Sequence, residues 1–65
     1  MTTYIGYTVA IETEHYTDWL VITLPKGEKL IDEVVREEFE RYSQDEAGEH
    51  MHGEELTDWI LIRKD

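Results

Sequence analysis

The chain has no cysteine. Disulfides and Cys-based metal clips are excluded, and the composition suits a reducing compartment. No apolar run approaches the roughly 20 residues of a membrane span. The opening M-T-T-Y-I-G has neither a basic n-region nor a long apolar h-region, so no signal peptide is expected. Bases are scarce too: six Lys and Arg face sixteen Asp and Glu, for a formal net charge of -10. That imbalance argues against direct contact with nucleic acid or an anionic membrane, and for a basic partner. A cytoplasmic protein is the expectation.

The usual catalytic signatures are missing as well. The only lysine–glycine stretch, K-G-E-K, lacks the pattern of a phosphate-binding P-loop. There is no Cys nucleophile, and Ser43 is the single serine available to a Ser-His-Asp set. Carboxylates abound, but acid–base work needs a pair whose surroundings push their pKa values apart in a cleft. A 65-residue chain has little room for one. The expectation is no enzyme, no cofactor and no metal. The H-M-H of His50–His52 is the best metal candidate, with Glu49, Glu54 and Glu55 near it and His15 as a third imidazole. Zinc sites show clearer spacing and at least three fixed ligands, so solvated loop histidines are the expected reading.

What is present points to one small acidic domain over residues 1–65, burying about 60% of its unfolded surface. Disorder is rejected because 40% of the residues are hydrophobic and they are periodic. From Tyr4 to Glu12, Ile5, Tyr7, Val9 and Ile11 alternate with Tyr4, Gly6, Thr8 and Ala10, which reads as a strand. After a short polar connection, Asp18–Leu24 reads as a second strand, ended by Pro25-Lys26-Gly27. A helix is expected from about Glu28 to Tyr42. Ile31, Val34, Val35, Phe39 and Tyr42 take one side, and Asp32, Glu33, Arg36, Glu37 and Glu40 the other, with Glu38 at the margin. Residues 43–56 have no clear period and read as a long loop with room for one short helical turn. Asp58–Arg63 is the third strand.

The order β-β-α-β predicts an α+β fold: a three-stranded antiparallel sheet in the order 2-1-3, with the helix packed on one face. The competing order sets the third strand parallel to the second. It is disfavoured because parallel sheets generally need cover on both faces.

One short phrase occurs twice, T-D-W-L-V-I at Thr17–Ile22 and T-D-W-I-L-I at Thr57–Ile62. In the 2-1-3 order both copies are edge strands. Each Asp stands at a strand start, where a charge discourages further edge pairing. Trp19 and Trp59 are expected on the same face, beside the small Gly6, Thr8 and Ala10 of the centre. With Tyr4, Val21 and Leu61 they would form an apolar patch that a single helix cannot cover. This patch supports an alternative function, a small structural or assembly protein that self-associates or binds a host chain.

Charge carries the preferred reading. Twelve of the sixteen acids lie between residues 28 and 58, against three bases. DNA presents two phosphate charges per roughly 3.4 Å of axis. A helix rising about 1.5 Å per residue can set carboxylates at a comparable density. Glu33, Glu37 and Glu40 align on one stripe at i, i+4 and i+7, and Asp45, Glu46, Glu49, Glu54 and Glu55 would extend it. Such a surface suits a basic groove built for nucleic acid.

In its size, its lack of Cys, its E-V-V-R-E-E-F-E-R-Y helix and its D-E-A-G-E-H-M-H-G-E-E segment, the chain resembles small acidic phage-encoded inhibitors that mimic DNA. Among them it is most similar in character to anti-CRISPR proteins acting on type I complexes, type I-C in particular. The resemblance implies binding to the large DNA-recognising subunit, blocked access of target DNA, and residence in the host cell cytoplasm. It rests on general character, with no residue-level motif, and a monomer is expected ahead of a dimer.

Overall fold

The computed structural model describes residues 3–65. Three strands, β1 (Tyr4–Glu12), β2 (Thr17–Pro25) and β3 (Asp58–Lys64), form one sheet in the order β2-β1-β3. Both pairings are antiparallel, so the 2-1-3 arrangement holds and the parallel alternative does not. Between β2 and β3 lie helix α1 (Asp32–Ser43) and a 3-10 segment (Glu46–Met51). Among the described residues no helix is long and apolar enough to cross a membrane.

The alternation in β1 and β2 explains which face is buried. Tyr7, Val9 and Ile11 pair across to Ile22, Leu20 and Asp18, and Ile5 pairs to Leu24, so the apolar set shares one side. Val35 and Phe39 of α1 close over it. The segment after the helix, expected as a loop, is part of the core as well. Met51 is fully buried and Leu56 nearly so, on the same side as the helix. Two buried apolar side chains hold these residues in place, which a segment without helical or strand periodicity does not announce.

The helix begins at Asp32, four residues later than Glu28. The reason is the turn that precedes it. Glu28 N–H donates to Pro25 O at 3.0 Å, and Gly27 sits at φ 99°. A positive φ at the third turn position requires glycine and reverses the chain. Residues 28–31 have no regular structure, and Ile31, the N-cap, is extended at φ -117° and ψ 166°. Ile31 therefore lies outside the helix and is exposed. Glu38 is half-buried at the helix margin, as its position on the wheel implies.

The repeated Thr-Asp-Trp is where the structure departs most from expectation. In β2 the partners of Thr17, Asp18 and Trp19 are Glu12, Ile11 and Ala10. In β3 the partners of Asp58 and Trp59 are Glu12 and Ile11. The two copies thus meet β1 one residue out of register. A one-residue slip exchanges the two faces of a strand. Trp19 stands beside Ala10 on the open face, 70% exposed. Trp59 stands beside Ile11 on the core face and packs against the core. Leu61 goes with it, opposite Val9, while Ile60 takes the open face beside Ala10. A bulge then shifts β3, so that Arg63 faces Thr8. The expected pairing of two indoles over a small-residue centre is therefore corrected.

Gly48 marks a close approach. A Cβ placed there would lie 2.1 Å from the carbonyl oxygen of Tyr42, which is backbone and cannot swing away. Its φ of -107° suits any residue, so contact alone demands glycine.

Two stability outcomes follow. Trp59→Ala should cost about 2 kcal/mol, since a half-buried indole is lost from the core. Trp19→Ala should cost roughly 0.5 kcal/mol or less in the isolated monomer. Equal losses in chemical denaturation would refute the one-residue offset. Gly48→Ala should destabilise by about 1–3 kcal/mol through overpacking, and an unchanged melting temperature would show that the 3-10 segment does not press on Tyr42.

Candidate protein-binding surface

Helix α1 turns Val35 and Phe39 inward, and this sets Glu33, Glu37 and Glu40 outward, all exposed. The two bases on the same helix do not neutralise them. Arg36 Nε donates to Asp32 Oδ2 at 2.7 Å, and its Nη1 donates to Leu56 O at 3.1 Å. Arg41 Nη1 donates to Glu38 Oε1 at 3.2 Å. Among the described residues, Glu33, Glu37 and Glu40 have no ion-pair partner.

The acidic surface continues past the helix. Asp45, Glu46 and Glu49 are exposed and border one shallow depression with Ser43, Gln44 and His52. Glu55 is also exposed. The structure thus leaves seven of the eight expected carboxylates free on the surface. Glu54 is different. Its Oε1 accepts the Thr13 hydroxyl at 2.9 Å and faces His15 Nδ1 at 3.1 Å. It ties the β1–β2 connection to the segment before β3. The Thr13 hydroxyl, with His15 behind it, holds the Glu54 carboxyl below the ordinary carboxylate range. Glu54 is thus a structural group, and its place in the expected acidic surface is withdrawn.

The remaining candidates of the sequence are also engaged. Ser43 is buried, and its hydroxyl donates to Glu40 O at 2.8 Å within the last helical turn. His50 Nε2 lies 3.0 Å from Asp18 Oδ2, and its ring meets Tyr16 and Tyr42 edge to face. His52 points to a different place, the depression beside Glu49. Among the described residues no group of three or more His, Cys, Asp or Glu side chains is placed to hold a metal ion.

Two polar anchors went unread in the sequence. The Tyr42 hydroxyl donates to Asp18 Oδ2, which joins the last turn of α1 to the start of β2. Trp59 Nε1 donates to Asp32 Oδ1 at 2.8 Å, which joins the first turn to β3. In both copies of the repeat the aspartate also accepts the next tryptophan's backbone N–H at 2.8 Å. Burial pulls the Asp18 carboxyl up, but the hydrogen bonds from Tyr42, the Trp19 N–H and His50 outweigh it, so its pKa lies below the ordinary value. Tyr42 is pushed up to about 12 from 10.0, chiefly because its proton is held by Asp18. Asp32 is lowered by the Trp59 and Arg36 hydrogen bonds. The repeat itself was the available signal for Asp18 and Trp59. Nothing local pointed to Tyr42 or Asp32 as their partners, because both contacts span more than 20 residues.

The open face of the sheet is a second surface, which meets the acidic one at the β2 edge, where Trp19 and Val21 border a depression with Glu38, Arg41 and Asp45. It carries Tyr4, Trp19, Val21 and Ile60, each at least 60% exposed, around Gly6, Thr8 and Ala10.

The Tyr42–Asp18 anchor has a defined pH signature. A folded pKa raised above the unfolded value gives stability that is whole below pH 10.0 and is lost as pH rises through about 12. Tyr42→Phe should therefore cost about 1 kcal/mol near neutrality, and its melting temperature should converge on that of the native chain as the pH approaches 12. Asp18 has the opposite sense: its lowered pKa gives stability above the carboxylate range that is lost on acidification. A Tyr42→Phe deficit constant from neutrality to strong alkali would show that the hydroxyl does not bond Asp18.

Comparison of the chain with protein-family models, with curated proteins and with solved structures found no match.

Proposed function

We propose that the protein is a non-enzymatic inhibitor that binds a basic nucleic-acid-binding protein and excludes nucleic acid from it by charge mimicry. The observation that carries this reading is the row of free carboxylates at Glu33, Glu37 and Glu40, continued by Asp45, Glu46 and Glu49. Arg36 and Arg41 are consumed by Asp32 and Glu38, so the charge of the row stays uncompensated. A rigid scaffold of like charges in water gains most when a Lys/Arg surface neutralises it and releases counterions. The helix and the 3-10 segment are held by Met51, Phe39 and Gly48, so the carboxylates are already positioned before binding. The resemblance of the sequence narrows the partner to the large DNA-recognising subunit of a type I CRISPR surveillance complex, type I-C first.

The test is reversal of the stripe. With Glu33, Glu37 and Glu40 changed together to Lys, binding to the purified surveillance complex should be lost. Target DNA should then bind as if no inhibitor were present. Circular dichroism should show the fold unchanged, since all three side chains are exposed and make no hydrogen bond or ion pair among the described residues. Affinity of the native chain should fall steeply, by about tenfold or more, between roughly 50 and 200 mM salt. Full inhibition by the reversed variant, or affinity indifferent to salt, would overturn charge mimicry.

A further inference from the structure

We propose that the outer edge of β2 is a docking site for an extended segment of a partner protein, which pairs with it as a fourth strand and carries Lys or Arg at alternate positions. The site does not depend on the row of Glu33, Glu37 and Glu40.

The backbone calls for a strand. The β1–β2 register runs without a shift. Thr13 N–H donates to Tyr16 O at one end of the hairpin, and Lys26 N–H donates to Thr3 O at the other. In an antiparallel ladder every second pair exchanges hydrogen bonds. The bonded pairs are therefore Ile11–Asp18, Val9–Leu20, Tyr7–Ile22 and Ile5–Leu24. Thr17, Trp19, Val21 and Thr23 turn their N–H and C=O groups away from β1. The Trp19 N–H is held by Asp18 Oδ1 at 2.8 Å. The outward groups of Val21 and Thr23 have no partner among the described residues. Such a row accepts an extended chain.

The two edges of the sheet differ. β3 has seven residues, is bulged where it faces Thr8 and Val9, and ends in Arg63 and Lys64. Shortness, bulges and basic side chains all blunt an edge. β2 has nine residues, no bulge, and no Lys or Arg. Asp18 guards its start and Pro25 its end, but the apolar stretch between them is bare. Trp19 and Val21 there are 70% and 74% exposed.

What borders this edge sets the chemistry of the occupant. Trp19, Leu20 and Val21 share a depression of about 240 Å³ with Glu38, Arg41 and Asp45. Arg41 is paired with Glu38, and Asp45 has no ion-pair partner among the described residues, so the depression is acidic. Side chains of an added strand alternate between the faces of the sheet. Those opposite Val21 and Thr23 lie on the open face and suit Val or Ile. Those between them lie on the helix side, beside Glu38 and Asp45, and suit Lys or Arg. A second copy of this chain fits poorly. Pairing β2 with β2 about a two-fold axis puts both helices on one side of the joined sheet. The two acidic depressions then adjoin, in chains of net charge -10.

Amide exchange followed by NMR, on the full chain with a short end-capped peptide of alternating Val and Lys, tests this. The peptide should slow exchange of the Val21 and Thr23 amides by about tenfold or more. The same residues arranged in two blocks should bind about tenfold more weakly, and a fully N-methylated copy, which lacks donors, should not bind. Val21→Pro removes an outward donor and spares the β1–β2 ladder, so it should weaken binding about tenfold. Asp45→Lys should weaken it at low salt. No slowing at millimolar peptide overturns the proposal, as does equal binding of the block or N-methylated peptide. Slowed Val21 exchange in the free chain as its concentration rises would mark a β2–β2 dimer and also overturn it. Val21 protection by the peptide should persist when Glu33, Glu37 and Glu40 are changed to Lys. Its loss there, with Val21→Pro binding as the native chain does, would put the contact on the acidic row instead.

Discussion

Ile11 is the pivot of the molecule. It is fully buried in the central strand, and its two neighbours across the sheet are Asp18 and Trp59. Both belong to copies of the same three-residue phrase, but the copies meet β1 one position apart. Because a strand alternates its side chains, that offset delivers an aspartate to the core face from one edge and a tryptophan from the other. Each then takes one end of the helix. Asp18 accepts the hydroxyl of Tyr42 in the last turn, and Trp59 donates to Asp32 in the first. The helix is thus tied at both ends to the row of Ile11. If the copies shared one register, one end would lose its partner.

The two anchors also decide how the surfaces are divided. With its ends fixed, α1 must turn Val35 and Phe39 toward the sheet and Glu33, Glu37 and Glu40 away from it. The bases of the helix are drawn into internal pairs: Arg36 with Asp32 and the Leu56 carbonyl, Arg41 with Glu38. Among the described residues the outward carboxylates have no ion-pair partner. On the far side of the sheet the same offset leaves Trp19 exposed and brings Ile60 beside it. The helix side of the molecule is therefore acidic, and the open face of the sheet carries an apolar centre of Trp19, Val21 and Ile60 with Glu12 and Asp58 at one end.

Small domains are stabilised by few core residues, so contributions from outside the regular elements matter more. Here Met51, Leu56 and Gly48 come from a stretch with no helical or strand period. Thr13 and Glu54 bind that stretch to the β1–β2 connection at 2.9 Å. These contacts turn a sequence that reads as a solvated acidic loop into a fixed extension of the helix. They also divide its carboxylates into one that holds the fold, Glu54, and others, such as Glu46 and Glu49, that remain free.

The sequence by itself determined the α+β class, the antiparallel order with β1 in the centre, and the outward stripe of Glu33, Glu37 and Glu40. The class and the stripe follow from local periodicity, an alternation of two in Tyr4–Glu12 and a spacing of four and three on a helix; the order follows from the single helix, which cannot cover both faces of a parallel sheet. Only the tertiary structure decided the faces of Trp19 and Trp59, the burial of Met51, and the internal role of Glu54. Pairing register is a relation between residues far apart in the chain, 50 positions in the case of Ala10 and Ile60, and no local pattern encodes a one-residue offset. Likewise a carboxylate is free or engaged according to whether a hydroxyl or imidazole from a distant turn reaches it, as Thr13 and His15 reach Glu54. Identical words in the chain acquired opposite roles because the strand between them is read from its two edges in different registers.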